Sequence, residues 1–234
     1  MRESKILREH NSSITYSKYN WSLLKNKRAN AKKLLEMFVK EGLNPALYGS
    51  IARGDVHESS DIDIVFTQKV PSFQIEYILN KRGYENYFRE ILMATPLDSI
   101  KLYIYISELE SITIPISNLS KKGMEFYTFG GKITLKDIET ETRVAGIDKR
   151  LVLIKPNQYG HEENSIIGNE ALAAKIVGVG IDTVNERKKV LLRREKLGRT
   201  GVFLRRKLTM NESTENVLKE LAKKKSIIRK KLNK

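Results

Sequence analysis

A short stretch of the chain, residues 48–66, combines two kinds of residue that can handle phosphate chemistry. It begins with the pair Gly49 and Ser50, and ten residues separate Ser50 from the first of two aspartates, Asp61 and Asp63. The alternation of these aspartates with isoleucines predicts a β-strand, which would place both carboxylates on one face about 7 Å apart. Two like charges held there repel each other unless a divalent cation lies between them. Oxygen ligands of this kind suit Mg²⁺ or Mn²⁺.

Gly49 and Ser50 supply the other half of this predicted site. Glycine lets the backbone come close to a bulky anion, and serine adds a hydroxyl beside the amides that open the next turn. A phosphate cradle followed by a strand with paired carboxylates is suited to moving a nucleotidyl group.

The stretch resembles the signature of the DNA polymerase beta-like nucleotidyltransferase superfamily, a Gly-Ser pair followed by Asp-x-Asp. Its segments GSIARG and SSDID are most similar to the minimal nucleotidyltransferases of archaea and bacteria. The resemblance implies that Gly49 and Ser50 hold the triphosphate of an NTP, and that Asp61 and Asp63 are catalytic metal ligands. The order of the whole chain also resembles a group of archaeal proteins that join such a domain to a basic C-terminal part.

Enzymes of this superfamily usually need a third carboxylate on a neighbouring strand. Two strands are predicted after the motif, over residues 87–94 and 100–106, and the second carries no acid. In the first strand, Glu90 shares a face with apolar side chains, where an ionised acid needs a metal or an arginine as partner. Glu90 is therefore the predicted third catalytic acid and metal ligand, and Asp98 in the intervening turn is the fallback.

Two cations near the motif are candidate nucleotide-binding residues, each with an alternative role. Lys101 alternates onto the strand face of Tyr103 and Tyr105, so it either reaches the triphosphate or faces solvent. Arg53 either neutralises phosphate charge or pairs with Asp55 and braces the loop. For Arg53 we favour the structural role with some phosphate contact.

Composition limits the choice of partner and compartment. The net charge of +15 over 234 residues favours a polyanionic partner, nucleic acid first. The absence of cysteine excludes disulfides and thiolate metal sites, and three scattered histidines argue against a zinc site. No apolar run reaches a membrane-spanning length and no signal-peptide pattern opens the chain, so we expect a cytoplasmic protein.

The periodicities predict an α+β fold in which helices flank a mixed sheet. Helices are expected from about residue 20 to the glycine at 42 and over residues 71–81. The connector in the middle of the chain is expected to be β-rich, with the strand-like pieces ITIPI, MEFYTF, KITL and RLVLI. The expected organisation is an N-terminal arm, a nucleotidyltransferase domain, the connector and a basic helical domain, over residues 1–19, 20–111, 112–160 and 161–234.

The C-terminal third carries a second pattern, which resembles a helix-turn-helix of the repressor type. Ala174 lies where two helices would touch, Gly178 lies at the sharp turn, and Val179, Ile181 and Val184 would lock the second helix. The alternative is an ordinary helical hairpin with a solvated basic face. The segment after it could form a wing-like hairpin. The residues predicted to bind nucleic acid are Arg187, Lys188, Arg193, Arg194, Arg199, Arg205 and Arg206.

Together these patterns predict transfer of a nucleotidyl group from an NTP to an acceptor, with release of pyrophosphate and Mg²⁺ or Mn²⁺ as cofactor. Asp61 and Asp63 are expected to bridge two such ions, which stabilise the attacking and leaving oxygens. The first choice of acceptor is nucleic acid, RNA or DNA. Two alternatives remain open: a nucleic-acid-binding regulator that senses nucleotide without turnover, and nucleotidyl transfer to a protein partner.

Overall fold

The computed structural model describes residues 5–233, which form two β-sheets and the helices that cover them. The strands are β1 (Asn11–Thr15), β2 (Ala46–Tyr48), β3 (Ile62–Val65), β4 (Phe88–Met93), β5 (Lys101–Ser107), β6 (Glu110–Pro115), β7 (Lys132–Ile133), β8 (Gly146–Ile147), β9 (Val152–Asn157), β10 (Gly160–Ser165) and β11 (Leu204–Leu208). The helices are α1 (Lys18–Val39), α2 (Ser50–Arg53), α3 (Ser72–Lys81), α4 (Lys121–Phe129), α5 (Leu135–Glu139), α6 (Glu170–Val177), α7 (Ile181–Leu197), α8 (Thr214–Lys224) and α9 (Ser226–Leu232).

The larger sheet has seven strands in the order β11-β4-β5-β6-β3-β2-β7. It is mixed, because β3 and β6 run parallel while the other neighbours are antiparallel. One face is apolar and packs against α1, α3, α8 and α9, which together form the main hydrophobic core. The predicted α+β fold with a mixed sheet and flanking helices is therefore confirmed.

The first helix shows why the sequence periodicity was informative. Ser17 caps α1 by accepting a hydrogen bond from the Asn20 amide, and Asn20 bonds back to the cap, as in a capping box. The apolar side chains recur at helical spacing and Leu35 and Phe38 are fully buried. After the helix, Gly42 adopts a φ of 77°, a left-handed conformation that suits glycine.

The smaller sheet has the order β1-β10-β9-β8 and packs against α6 and α7 through a second core. A buried polar cluster ties its strands together: Glu163 accepts hydrogen bonds from His10 at 2.5 Å and from Arg150 at 2.7 Å. Burial alone would raise the pKa of Glu163, but the bonds from Arg150 and His10 lower it to about 2. The predicted N-terminal arm thus supplies a strand, although its residues 1–4 lie outside the described residues.

The prediction that MEFYTF is a strand was wrong, since these residues belong to α4. The Ser120 side chain accepts from the Gly123 amide and so starts a helix, on which Tyr127 and Phe129 are buried. Similarly, KITL yields only the short β7, and α5 begins at a capping box of Thr134 and Asp137.

The chain after α7 returns to the larger sheet. Residues 204–208 pair with β4 as the single strand β11 at the edge of that sheet, in place of the wing-like hairpin. Leu204, Leu208 and residues of α8 and α9 lie in the main core. The limits of the two sheets therefore do not coincide with the boundaries expected at residues 111 and 160. Residue 234, the last of the expected basic domain, lies outside the described residues. No helix within residues 5–233 is long and apolar enough to cross a membrane.

Candidate active site

The Gly49 turn connects β2 to the short helix α2. Gly49 has a φ of 97°, and its amide donates to the Gly131 carbonyl at 2.9 Å. A Cβ added at Gly49 would meet no atom within 4 Å, so glycine is needed here for its backbone conformation and not for lack of space. The turn consequently faces open space, where a bulky anion can approach its backbone.

Ser50 begins α2, and its hydroxyl donates to the Ser60 hydroxyl at 3.2 Å. Ser60 in turn accepts from the His57 amide at 3.0 Å, and its carbonyl accepts from Lys27 at 2.8 Å. These bonds hold the loop between the two halves of the motif against the Gly49 turn. Ser60 was not singled out from sequence, although it lies directly before Asp61.

Asp63 lies on β3, directly opposite Tyr48 on β2, so the Gly49 turn begins beside it. Ser111 on β6 donates a hydrogen bond to the Asp63 carboxylate at 2.7 Å. Burial raises the pKa of Asp63, and the charge of Asp61 adds to this rise, while the Ser111 bond and the charge of Lys149 oppose it. A carboxylate held in this way would be stabilised by a bound cation.

The structure does not bring Glu90 together with the two aspartates. Strands β5 and β6 separate β4 from β3, so Glu90 and Asp63 are three strand spacings apart, about 14 Å. The Glu90 carboxylate instead accepts from Arg205 Nε at 2.5 Å, which is the arginine partner that its apolar surroundings required. The fallback, Asp98, accepts from the Thr95 hydroxyl at 2.8 Å in its turn.

The donor set at Asp63 fits one divalent cation. Asp61 and Asp63 offer two carboxylates beside an open phosphate site, which is the usual protein share of a Mg²⁺ site completed by substrate phosphates. The neighbour of Asp63 on β6 is Ser111, where a third carboxylate would have to stand. Within residues 5–233 no group of three or more histidine, aspartate or glutamate side chains is placed to hold a metal. Two carboxylates from the protein are enough to hold one such cation when substrate phosphates complete its coordination.

Lys101 is partly buried on β5. Its Nζ donates to the Tyr127 hydroxyl at 3.0 Å and lies 5.6 Å from the centroid of the Phe126 ring. Burial lowers the pKa of Lys101, and the nearby Arg187 lowers it further, whereas Asp98 opposes the shift.

Arg187 reaches the same aromatic ring from α7. Its Cζ lies 4.7 Å from the Phe126 centroid, and its Nε is a buried donor without a hydrogen-bond partner among the described residues. Burial lowers its pKa to about 10, and repulsion from Arg194 contributes. The structure thus places Arg187 beside Lys101, against the same Phe126 ring.

Arg53 uses its guanidinium to hold the backbone around the Gly49 turn. It makes a bidentate pair with Asp55, at 2.9 and 2.8 Å, and donates to the Gly130 carbonyl at 2.6 Å. The Arg53 side chain is only 7% exposed. These contacts match the structural alternative, in which Arg53 braces the loop.

The cation missed from sequence is Lys149. It lies in the loop before β9, close enough to Asp63 for its charge to lower the pKa of that carboxylate. The local sequence carries no signal of this role, because the loop lies far from Asp63 along the chain and only the tertiary fold brings the two together.

The other residues predicted to bind nucleic acid are divided between α7 and β11. On and after α7, Arg193, Arg194 and Arg199 are exposed, and Lys188 pairs with Glu170 at 2.6 Å. On β11, Arg205 and Arg206 pair with Glu90 and Glu212. The residues predicted to form one nucleic-acid-binding surface are therefore distributed over two elements, α7 and β11.

Helices α6 and α7 meet through a tight turn at Gly178, whose φ is 73°. Ala174 and Val184 are buried at the helix contact, as expected, but Ile181 is 46% exposed and does not lock the pair. The Glu125 side chain of α4 accepts from the Thr183 hydroxyl and the Gly180 amide, so the helix pair also rests on α4. Whether the helix pair serves nucleic-acid binding stays a prediction.

Neither the curated proteins nor the solved structures contain a match to the chain. Residues 30–131, however, match the family model of the nucleotidyltransferase domain. The matched segment contains the Gly49 turn, Asp61, Asp63 and Lys101, and it ends before α7. This match supports the nucleotidyltransferase superfamily, and with it nucleotidyl transfer from an NTP substrate.

Proposed function

We propose that the protein transfers a nucleotidyl group from an NTP to a nucleic-acid acceptor, with one divalent cation held by Asp61 and Asp63. The observation that carries this proposal is the register of β2 and β3, which places the open Gly49 turn next to the Asp63 carboxylate. A phosphate-accepting turn and a metal-binding carboxylate side by side are what transfer at a phosphate requires.

Each element of the site has a role in this reaction. The Gly49 turn and Ser50 receive the triphosphate, and the partly buried cations Lys101 and Arg187 offset its negative charge. The acceptor hydroxyl loses its proton to water and attacks the α-phosphorus, the bond from that phosphorus to the bridging oxygen breaks, and pyrophosphate leaves. A bound Mg²⁺ or Mn²⁺ supplies Lewis-acid stabilisation of the charge that develops.

A specific observation also favours a second candidate, nucleotide binding without turnover. Ser111 stands beside Asp63 where a third carboxylate would strengthen metal binding, and Glu90 is too far away to replace it. A site with two carboxylates would bind an NTP together with its cation, but the cation would stabilise the transition state of transfer less well. In this alternative the protein is a regulator that responds to nucleotide.

Incubation of the full chain with each α-labelled NTP, Mg²⁺ or Mn²⁺ and total cellular RNA, DNA or protein tests the proposal. We expect label to pass to nucleic acid, and γ-labelled NTP to leave none there, because pyrophosphate carries that phosphate away. Retention of unreacted NTP on the chain would instead favour the regulator. Label on protein would identify a protein acceptor.

The exposed cations of α7 lead to a prediction about binding. Arg193→Glu with Arg194→Glu should weaken binding of nucleic acids of many sequences and flatten its salt dependence, because each lost phosphate contact removes about 0.9 from the log–log slope for duplex DNA and about 0.7 for single strands. Fluorescence anisotropy over a salt series measures this slope. The matched control is Lys25→Glu with Lys33→Glu, an equal charge change at exposed positions of α1. Equal effects of both pairs would show that only net charge matters.

A further inference from the structure

The second face of the larger sheet is covered over only part of its width. Tyr127 of α4 packs on Ala46 and Val65, so α4 shields the end formed by β2 and β3. Farther across, at β5 and β4, Tyr105 is 38% exposed and Phe88 is 63% exposed. Two large aromatic side chains therefore lie open to solvent on a face that no described element covers there.

These aromatic residues stand in line with the candidate catalytic carboxylate. Asp63 on β3 lies beside Ser111 on β6, Ser111 beside Tyr105 on β5, and Tyr105 beside Phe88 on β4. Since neighbouring strands are about 4.8 Å apart, this row extends about 14 Å across the sheet from Asp63 to Phe88. Any extended ligand lying along the row ends at the active site.

The aromatic surface is ordered by its neighbours. The Tyr103 and Tyr105 rings stack with their centroids 6.3 Å apart and an interplanar angle of 16°. Tyr103 is more deeply buried than Tyr105, and burial raises the pKa of Tyr103 to about 12, so it remains neutral. The exposed face of Tyr105 is consequently a flat, uncharged surface held in place from behind.

Two cations of β11 border the aromatic residues. Lys207 is in register with Glu90 and Arg205 lies two residues earlier on the same strand face. The Arg205 side chain pairs with Glu90 yet stays 63% exposed, so it can also meet a ligand. Lys207 is exposed and makes no ion pair with any residue between 5 and 233. Because Glu90 is buried and paired, the accessible charge of this surface is positive.

We propose that Phe88, Tyr105, Arg205 and Lys207 form an acceptor platform that binds the single-stranded end of a nucleic acid. Bases stack on the two aromatic rings, phosphates meet the two cations, and the strand end is directed along the row to Asp63. Exposed aromatic rings beside cations are the pairing that single-stranded nucleic acids use, whereas a duplex keeps its base faces inside its own stack. The role as acceptor rests on the proposed function, but the binding does not.

The test measures binding of a labelled single-stranded oligonucleotide, as RNA and as DNA, to the full chain without NTP. Phe88→Ala and Tyr105→Ala should each weaken binding by about 5- to 150-fold, the usual range for loss of one stacked base. Phe88→Tyr and Tyr105→Phe keep a ring and should bind as the unchanged chain does. Phe73→Ala is the matched control, since Phe73 is 65% exposed but lies on α3, on the opposite side of the sheet. Circular dichroism and thermal unfolding confirm that each variant is folded.

Several results would overturn the platform. Equal affinity of the Phe88→Ala and Phe73→Ala variants would do so, as would a loss of duplex binding as large as the loss of single-strand binding. Retention of affinity in a double Phe88→Ala/Tyr105→Ala variant that is folded would also do so. Failure of the proposed function is a different outcome: the oligonucleotide then binds in a ring-dependent way, but no NTP label ever reaches it.

Discussion

Asp63→Asn is expected to reduce nucleotidyl transfer on the order of 10³-fold while the protein stays folded. The carboxylate is a metal ligand in our proposal, and a metal supplies several kcal/mol of transition-state stabilisation, at about 1.4 kcal/mol for each factor of ten in rate. Asp61→Asn should have a similar effect. Initial rates with saturating acceptor and NTP measure the loss, and Asp182→Asn, at an exposed site on α7, is the control. Full activity in both active-site variants would place the chemistry elsewhere.

The same substitution makes a prediction about stability with a definite sign. Burial raises the pKa of Asp63 in the folded protein above its ordinary value of 3.8. Protonated Asp63 therefore contributes its full stability below pH 3.8, and this contribution is lost as the pH rises through the folded-state pKa. Asp63→Asn should therefore melt at a higher temperature than the unchanged chain at neutral pH. The difference should shrink as pH falls toward 3.8. A variant that melts lower at neutral pH would mean that Ser111 and Lys149 outweigh burial.

Glu90→Gln distinguishes the ion pair of Glu90 with Arg205, seen in the structure, from its predicted role as the third metal ligand. Its strand lies three strand spacings, about 14 Å, from the strand of Asp63, which leads us to expect a smaller loss of transfer than either aspartate substitution causes. A loss equal to theirs would restore Glu90 as the third metal ligand. The rates of all three variants in one assay decide the ranking.

Sequence could predict what depends on local pattern. The spacing of Gly49, Ser50, Asp61 and Asp63 indicated the turn and the strand that carry the site, and the alternation around Lys101 placed it on the face of Tyr103 and Tyr105. These inferences need only the period of a strand and the conformational freedom of glycine. They do not depend on how the other strands are arranged.

Sequence could not predict what depends on the order of the strands. The order of the strands along the chain predicts that Glu90 is a neighbour of Asp63, but β5 and β6 lie between them in the sheet. Its true partner, Arg205, is 115 residues away and reaches it only because β11 pairs with β4. The contact between Arg187 on α7 and Phe126 on α4 likewise depends on tertiary packing, which the basic pattern of the helix does not reveal.

Arg53 offers the second large expected effect, on folding. Arg53→Ala should destabilise the protein by about 3–5 kcal/mol, because it leaves the half-buried Asp55 carboxylate and the Gly130 carbonyl without their partner. The packing around the side chain is close: a Cβ at Gly131 would lie 2.7 Å from Arg53 Cγ. Urea or thermal unfolding measures the loss. Lys81→Ala removes an ion pair of similar length, 2.9 Å to Glu41, but an exposed one, and should cost about 0–1 kcal/mol.

The double variant Arg53→Ala/Asp55→Ala separates bracing from phosphate binding. If Arg53 acts through Asp55, removal of both partners should cost less than the sum of the two single changes, since no unpaired carboxylate then remains near the turn. If Arg53 only braces the Gly49 turn, NTP affinity should fall because the turn is disturbed and for no other reason. The less stable of the two variants, Arg53→Ala and the double variant, should then also bind NTP more weakly. A variant that keeps its stability but loses NTP affinity would instead make Arg53 a direct phosphate ligand. That result would require the guanidinium to leave Gly130 when nucleotide binds.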